Sequence, residues 1–138
     1  MAANKELIQV LNSLLQYEYK AMMQYLQNSY LVRGPRRETV KAWLQKMAAE
    51  EMMHAAKVAD KIVTLGGTPS LEIPPVRVAT NVNEIIRLSY ETETGAAEAY
   101  RKALPLIEKT GDLHLRLLAE EMVADSQGEA EEIKKMLE

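Results

Sequence analysis

The chain has 138 residues, of which 47% are hydrophobic and 27% are charged, and its formal net charge is −3. This size suits one domain with a substantial core, so a single domain over residues 1–138 is predicted. The absence of cysteine excludes disulfides and thiolate metal sites. Because the chain has no long apolar run, signal-peptide pattern or Lys/Arg-rich tail, we expect a cytoplasmic protein that binds neither membrane nor nucleic acid.

Four amphipathic segments, rich in Ala, Leu, Met, Glu and Lys, predict four helices joined by three connections. The connecting sequences are "RGPRR", "GGTPSLEIPPVRVAT" (residues 66–80) and "KTGD". Asn81 followed by Glu84 is typical of a capped helix start, and Gly66 is typical of a helix end. Pro105 is expected to kink or loosen the end of the third helix. The predicted helices span residues 4–33, 36–65, 82–109 and 112–137.

The lengths of the connections predict the topology. Two short turns make antiparallel hairpins of the first two helices and of the last two. The segment 67–80 reaches about 46–50 Å when extended, which exceeds the roughly 40 Å length of such helices. The crossover can therefore run the length of the bundle. The expected fold class is all-α, a four-helix bundle of two antiparallel hairpins joined by a long crossover.

Each helix presents an inward stripe at alternating steps of three and four, and polar residues interrupt every stripe near its middle. The interrupting residues are Glu18, Glu51, His54, Glu93, Ser126 and Glu129. On the fourth helix the predicted stripe consists of Leu115, Leu118, Met122, Ser126, Glu129, Ile133 and Met136.

The interruptions repeat at an offset of 75 residues. The corresponding pairs are Glu18 with Glu93, Tyr25 with Tyr100, Glu51 with Ser126, and His54 with Glu129. The two hairpins are therefore pseudo-equivalent, and a two-fold arrangement brings all the interruptions to one level of the bundle.

Four carboxylates and one imidazole at one level of an apolar core repel each other and lose hydration, at several kcal/mol per unpaired ion. Either the carboxylates become protonated or cations lie among them. Two divalent cations balance the charge of the four carboxylates, which are Glu18, Glu51, Glu93 and Glu129. An oxygen-rich set with a neutral imidazole favours iron or manganese, with zinc as a common substitute in vitro. The sequence thus predicts a dinuclear metal site.

These features resemble the ferritin-like superfamily, and bacterioferritins most closely, over nearly the whole chain. The residues that carry the resemblance are Glu18 and Tyr25 in "LLQYEYKAMMQY", Glu51 and His54 in "EMMH", and Glu93 in "YETETGAAEAYRKAL". The resemblance implies that Glu18 and Glu93 are terminal ligands, that Glu51 is a bridge and that His54 is the nitrogen ligand of one iron. It implies a redox-active or hydrogen-bonding role for Tyr25. The implied activity is that of a ferroxidase, which oxidises Fe(II) with O2 or peroxide for iron storage or detoxification.

The fourth helix departs from the family pattern. Where bacterioferritins carry a second Glu-x-x-His, this chain has "SQGE". Ser126 replaces the second bridging carboxylate and is expected to be a packing residue, while Glu129 replaces the second imidazole and stays a candidate ligand. Asp125 could substitute as a ligand through a small helix rotation. The chain also stops with this helix at Glu138, whereas bacterioferritins continue into a fifth helix that lines channels of their cage.

Met52 matches the methionine that binds haem across a two-fold dimer interface in bacterioferritins. It is predicted to lie off the core stripe, among small residues that permit close approach of a flat ring or a second helix. Haem b is therefore a candidate cofactor at Met52, and packing in a dimer is the alternative. The resemblance implies a homo-oligomer, at least a two-fold dimer, and leaves a cage open.

Three other interpretations remain open. The chain could be a non-enzymatic subunit that binds metal or haem at a degenerate site, alone or in a mixed assembly. It could be a DNA-protecting mini-ferritin, a class that places its ligands between subunits and not within the bundle. It could be a peroxide reductase of the rubrerythrin type, which usually carries a cysteine-rich unit that this sequence lacks.

Overall fold

The computed structural model describes residues 2–138, and their side chains from residue 4 onward. The helices are α1 (Ala2–Leu31), α2 (Arg37–Thr64), α3 (Val82–Lys109) and α4 (Leu113–Leu137). The predicted bounds of α3 are confirmed, and this helix continues through Pro105. The other predicted bounds are correct to within two residues. Within the described residues there is no strand, and no helix is long and apolar enough to cross a membrane.

The helix ends follow the signals in the sequence. The Asn81 side chain accepts a hydrogen bond from the backbone N–H of Glu84 at 3.2 Å, which caps the start of α3. Asp112 caps α4 in the same way through the N–H of Leu115 at 3.0 Å, so α4 begins one residue later than predicted. Gly66, which follows the end of α2, has a φ of +90° that favours glycine over other residues.

Contacts between the helices establish the topology. α1 packs mainly against α2, and α3 packs mainly against α4, as the predicted hairpins require. Tyr25 on α1 bonds Glu93 on α3, and Tyr100 on α3 bonds back to Glu18 on α1, so these two helices are antiparallel. Side chains of α2 and α4 pair in the same antiparallel order. α2 and α3 are therefore parallel, which confirms the predicted crossover topology.

The crossover lies along α1, where four amide side chains bind it. These residues, here called the amide ladder, are Asn12, Gln16, Gln24 and Asn28. Near the start of the crossover, Asn12 accepts a hydrogen bond from the N–H of Ser70 at 2.8 Å. Near its end, Asn28 accepts one from the N–H of Ala79 at 3.0 Å. The amide ladder thus satisfies backbone groups of an irregular segment that would otherwise lose hydrogen bonds on burial.

The apolar core has two parts, one at each end of the bundle. Leu11 and Ile107 belong to the first part, and Leu44 and Ile85 belong to the second. A layer of buried polar residues lies between them, here called the polar layer. Its members are Glu18, Glu51, Ser89, Glu93 and Ser126.

The inward stripe of α4 differs from the prediction near its end. Met136, predicted to be inward, is 49% exposed, and Glu129 is only partly buried. Ala130 takes the inward position instead, at 6% exposure, and is followed by the buried Ile133. A step of four residues after Ser126, where the prediction used three, keeps the small side chain inside and the carboxylate outside.

Candidate metal centre

Glu18 on α1 and Glu51 on α2, both in the polar layer, meet the side chain of His54 on α2. Glu18 and Glu51 each direct one carboxylate oxygen at Nδ1 of His54, at distances of 3.5 and 3.6 Å. One ligand atom from each residue lies within 4.8 Å of the other two. The spacing of three residues places Glu51 and His54 on one face of α2, which lets both reach the same point.

The ligand atoms of this cluster are buried and have no hydrogen-bond partner. They are Oε2 of Glu18, Oε2 of Glu51 and Nδ1 of His54. An unsatisfied buried polar atom is destabilising by about 1–3 kcal/mol, and more for a charged group. Two carboxylate oxygens and an imidazole nitrogen are suitable ligands for iron, zinc or manganese, and one cation among them satisfies all three atoms. The residues therefore fit a metal ion.

Two buried tyrosines hold the carboxylates of α1 and α3. The Tyr25 hydroxyl donates to Oε1 of Glu93 at 2.8 Å, and the Tyr100 hydroxyl donates to Oε1 of Glu18 at 2.9 Å. The two pairs are related by the same 75-residue offset that the sequence contains. Glu93 lies beside the cluster of Glu18, Glu51 and His54 and is not one of its three members.

Burial and mutual repulsion separate the pKa values of the carboxyl groups. Burial, with the neighbouring Glu18 and Glu93, raises the pKa of Glu51 far above its usual range. Burial also raises the pKa of Glu93 to about 7. Burial favours a higher pKa for Glu18 too, but the neighbouring Glu51 and His54 outweigh this effect and lower the pKa. Without a cation, the polar layer therefore holds a proton on Glu51 and a negative charge on Glu18.

Asp125 on α4 contacts the imidazole from the side opposite the cluster. Its Oδ2 lies 3.3 Å from Nε2 of His54, whose Nδ1 faces Glu18 and Glu51. Burial favours a lower pKa for His54, but Glu18 and Asp125 outweigh it and raise the pKa. A carboxylate that accepts from Nε2–H leaves Nδ1 free to bind a metal. The sequence indicated Asp125 only as a substitute ligand, whereas the structure places it behind the imidazole.

The two α4 residues at the repeat positions lie outside the cluster. Ser126 is buried, and its hydroxyl has no hydrogen-bond partner. Glu129 is partly buried, and burial together with Glu50 on α2 raises its pKa. Because Ala130 occupies the inward position, the carboxyl of Glu129 faces the rim of the site and Glu50.

A cavity of about 320 Å³ lies between α2 and α4 and opens to solvent. The buried Glu51, His54 and Glu93 form part of its lining. Its remaining lining residues are Glu50, Met53, Lys57, Glu121, Asp125 and Glu129. Carboxylates outnumber the one lysine, so the cavity attracts cations. Glu50 and Glu121 were not among the predicted site residues, because both lie off the inward stripes.

Met52 lies on the outer surface of α2, away from the polar layer. It is 58% exposed, and Ala49 and Ala56 beside it are also exposed. Its position off the core stripe agrees with the prediction. The small neighbours leave the Met52 thioether accessible to a flat ligand or to another protein surface.

Comparison with known proteins places this fold in a family. The ferritin-like domain family matches residues 8–138. A bacterioferritin from Brucella melitensis is 27% identical over 139 residues, covering 100% of this chain and 86% of the relative. A Bacillus anthracis structure, described as a ferritin-like diiron-carboxylate protein, has a TM-score of 0.94 and 31% identity, covering 100% and 99% of the two chains. Rhodobacter capsulatus bacterioferritin shares the fold with a TM-score of 0.87 and 23% identity, covering 96% and 84%. The chain therefore belongs to the ferritin family, as a ferritin-like domain related to the bacterioferritins.

Proposed function

We propose that this protein binds Fe(II) in the polar layer and oxidises it with O2 or peroxide, for iron storage or detoxification. The observation that carries the proposal is the set of unpartnered ligand atoms on Glu18, Glu51 and His54, buried beside an acidic cavity. The descriptions of the relatives, as bacterioferritin and as a diiron-carboxylate protein, support the same chemistry.

Glu18, Glu51 and His54 would hold one iron ion. Glu51 and Glu93 would hold a second, with Glu129 as a further ligand if its carboxylate turns inward from the rim. Each Fe(II) gives up one electron to the oxidant. Anionic oxygen ligands favour this step, because they stabilise the more highly charged ferric ion more strongly than the ferrous ion.

Binding of iron requires that protons leave the polar layer. Glu51 and Glu93 have raised pKa values, and a metal binds only their ionised forms. Both residues line the cavity between α2 and α4, which gives the displaced protons a direct route to solvent.

Tyr25 is the redox-active candidate of this proposal. Its buried hydroxyl donates to Glu93 at 2.8 Å. If the ring gives an electron to the oxidant, its proton can pass to the Glu93 carboxylate along that hydrogen bond. Burial and the charge of Glu93 raise the pKa of Tyr25 well above its usual value, so the phenol keeps its proton until then.

A non-enzymatic, metal-binding subunit is the second candidate function. The observation that favours it is the α4 contribution, since Ser126 supplies no carboxylate and Glu129 lies outside the cluster. Such a site would bind one metal ion tightly, without the second iron that two-electron chemistry with O2 requires.

Oxygen consumption by protein loaded with Fe(II) under anaerobic conditions distinguishes the two functions. A ferroxidase consumes O2 rapidly after loading with two iron ions per chain, and Glu93→Gln slows this at least about tenfold. Glu98→Gln is the matched control, because Glu98 is an exposed residue of the same helix and should leave the rate unchanged. Binding of one iron without O2 consumption would favour the non-enzymatic subunit.

We also propose that haem b binds at the exposed Met52. Titration of the metal-free protein with haem should then shift the Soret band, and Met52→Leu should remove the shift. Met53→Leu is the control, since Met53 is the next residue and is exposed to a similar degree, 61% against 58%. Equal spectra for the two variants would leave Met52 as a packing residue.

We propose a homo-oligomer, at least a two-fold dimer. Large apolar side chains are exposed outside the site, including Leu71 at 93%, Tyr30 at 55% and Ile73 at 52%. Exposed apolar surface of this kind is typical of contacts between subunits. Analytical ultracentrifugation measures the mass, and a monomer at micromolar concentration would contradict the proposal.

A further inference from the structure

The two carboxylate oxygens of Glu18 have different surroundings. Oε1 accepts a hydrogen bond from the Tyr100 hydroxyl at 2.9 Å. Oε2 has no hydrogen-bond partner and lies 3.5 Å from Nδ1 of His54. Glu18 is fully buried, so no water competes for either oxygen. One oxygen is therefore engaged and only the other faces the cluster.

Tyr100 is held firmly enough to fix the orientation of that carboxylate. Its ring is 2% exposed and belongs to the same apolar part of the core as Leu11 and Ile107. A tyrosine packed in this way has little rotational freedom, so its hydroxyl donates from a fixed point. The hydroxyl lies on α3 and the carboxylate on α1, so the contact also joins the two helices.

We propose that Tyr100 is a positioning residue that makes Glu18 present Oε2 alone to a cation shared with Glu51 and His54. Tyr25 acts in the matched way on Glu93, which belongs to the second metal position. The inference rests on the proposed metal site. It adds that each tyrosine orients a ligand of a different metal ion.

Removal of each tyrosine hydroxyl tests these two roles. In Tyr100→Phe, Oε1 of Glu18 loses its donor, and the carboxylate can rotate and offer both oxygens to the metal. Loss of such an outer hydrogen bond typically reduces metal affinity by about 10–100-fold. Tyr100→Phe should weaken the first binding event, and Tyr25→Phe should weaken the second.

The experiment is a titration of the metal-free protein with Co(II), followed by visible absorption, since the band intensity falls as the number of ligand atoms rises. Tyr100→Phe is expected to weaken the first event by about 10–100-fold and to reduce its band intensity. Tyr30→Phe is the control, because Tyr30 is exposed and distant from the cluster. A titration of Tyr100→Phe that matches Tyr30→Phe in affinity and spectrum would overturn the inference.

A second measurement separates positioning from loss of stability. If Tyr100 acts through Glu18, then Tyr100→Phe should have little further effect on first-event affinity in a Glu18→Gln background. Full additivity of the two substitutions would overturn the inference. Absence of Co(II) binding by the unsubstituted protein would overturn both this inference and the proposed function, whereas normal binding by Tyr100→Phe would overturn this inference alone.

Discussion

The two sides of the polar layer are built differently. Where α1 meets α3, each carboxylate is bonded by a tyrosine of the other helix, and both pairs follow the internal repeat. Where α2 meets α4, His54 contacts Asp125, whereas the repeat-related Glu129 faces Glu50 beside an open cavity. The repeat is thus retained where carboxylates must be oriented, and it is lost where the bundle opens to solvent.

This difference has a consequence for metal binding. The α1–α3 side has two oriented carboxylates, one for each proposed ion. The cavity side has Glu51 and one imidazole on α2 but, on α4, a serine at the repeat position of Glu51. We therefore expect unequal sites, a tight one at Glu18, Glu51 and His54 and a weaker one near Glu93. Four changes test this inequality.

Glu51→Gln should have the largest effect, because Glu51 is the carboxylate common to both proposed ions. We expect the affinity for Zn(II), measured by titration calorimetry, to fall more than about 100-fold, which exceeds the usual effect of an outer-shell change. Glu98→Gln on the exposed face of α3 is the control.

The same variant should make the metal-free protein more stable at pH 7, by up to about 3 kcal/mol. Folding raises the pKa of Glu51 above 4.5, so at pH 7 the unfolded chain releases a proton that the folded chain retains. This destabilisation is absent below pH 4.5 and grows as the pH rises, and glutamine removes it. Urea unfolding at pH 4 and pH 7 measures the gain; a less stable Glu51→Gln at pH 7 would contradict the protonated state of Glu51.

The affinity for Zn(II) should increase with pH, because the metal displaces protons from groups with raised pKa values. Burial raises the pKa of Glu93 to about 7. Deprotonation of this residue therefore raises the affinity roughly tenfold per pH unit below pH 7 and has little effect above it. Calorimetry in two buffers of different ionisation enthalpy counts the protons released. An affinity that does not change between pH 5 and pH 7 would show that the polar layer is already ionised.

Asp125→Asn should reduce the affinity of the first metal ion by about 10–100-fold, because the imidazole loses its anionic partner at Nε2. Glu121→Gln is a close control, since Glu121 also lies on α4 and its side chain has the same 48% exposure as that of Asp125. Competition with a coloured zinc chelator measures both variants. Equal losses of affinity in the two variants would mean that the total charge of the cavity determines the affinity, and not the contact between Asp125 and His54.

Ser126→Glu should have the smallest effect and act on the second ion alone. A carboxylate at the repeat position of Glu51 is expected to tighten the second binding event about tenfold, which corresponds to about 1.4 kcal/mol. It should also destabilise the metal-free protein, because it adds an acid to a buried position. Ser126→Ala, which removes the unpartnered hydroxyl without adding charge, is the control. An unchanged second binding event in Ser126→Glu would show that position 126 on α4 does not contribute to binding of the second ion.

The repeat and the stripes made much of this arrangement predictable. Helix burial has a fixed period, so positions such as Glu18 and Glu93 could be placed inside without knowledge of the fold. The 75-residue offset also related Tyr25 to Tyr100, although only the structure supplied their carboxylate partners. The helix ends at Asn81 and Gly66 could also be predicted, because capping depends on the residue types at those positions.

Other contacts could not be predicted, because they depend on how whole helices are rotated and spaced. Asp125 reaches His54 only because α4 turns Ala130 inward, and the same rotation moves Glu129 out of the cluster. The pairing of Glu129 with Glu50 needs the separation between α2 and α4, which no local pattern contains. The residues of the amide ladder are spaced by four, eight and four, as on any polar helix face, and their function could be recognised only from the path of the crossover.

The crossover held by the amide ladder and the open cavity lie on opposite sides of the bundle. By binding the crossover, Asn12 and Asn28 hold it against α1 over roughly 24 Å of that helix. On the opposite side, the buried acids line a cavity between α2 and α4 that opens to solvent. In the proposed oligomer, the surroundings of the α2–α4 side would therefore control the access of ions to the proposed metal site.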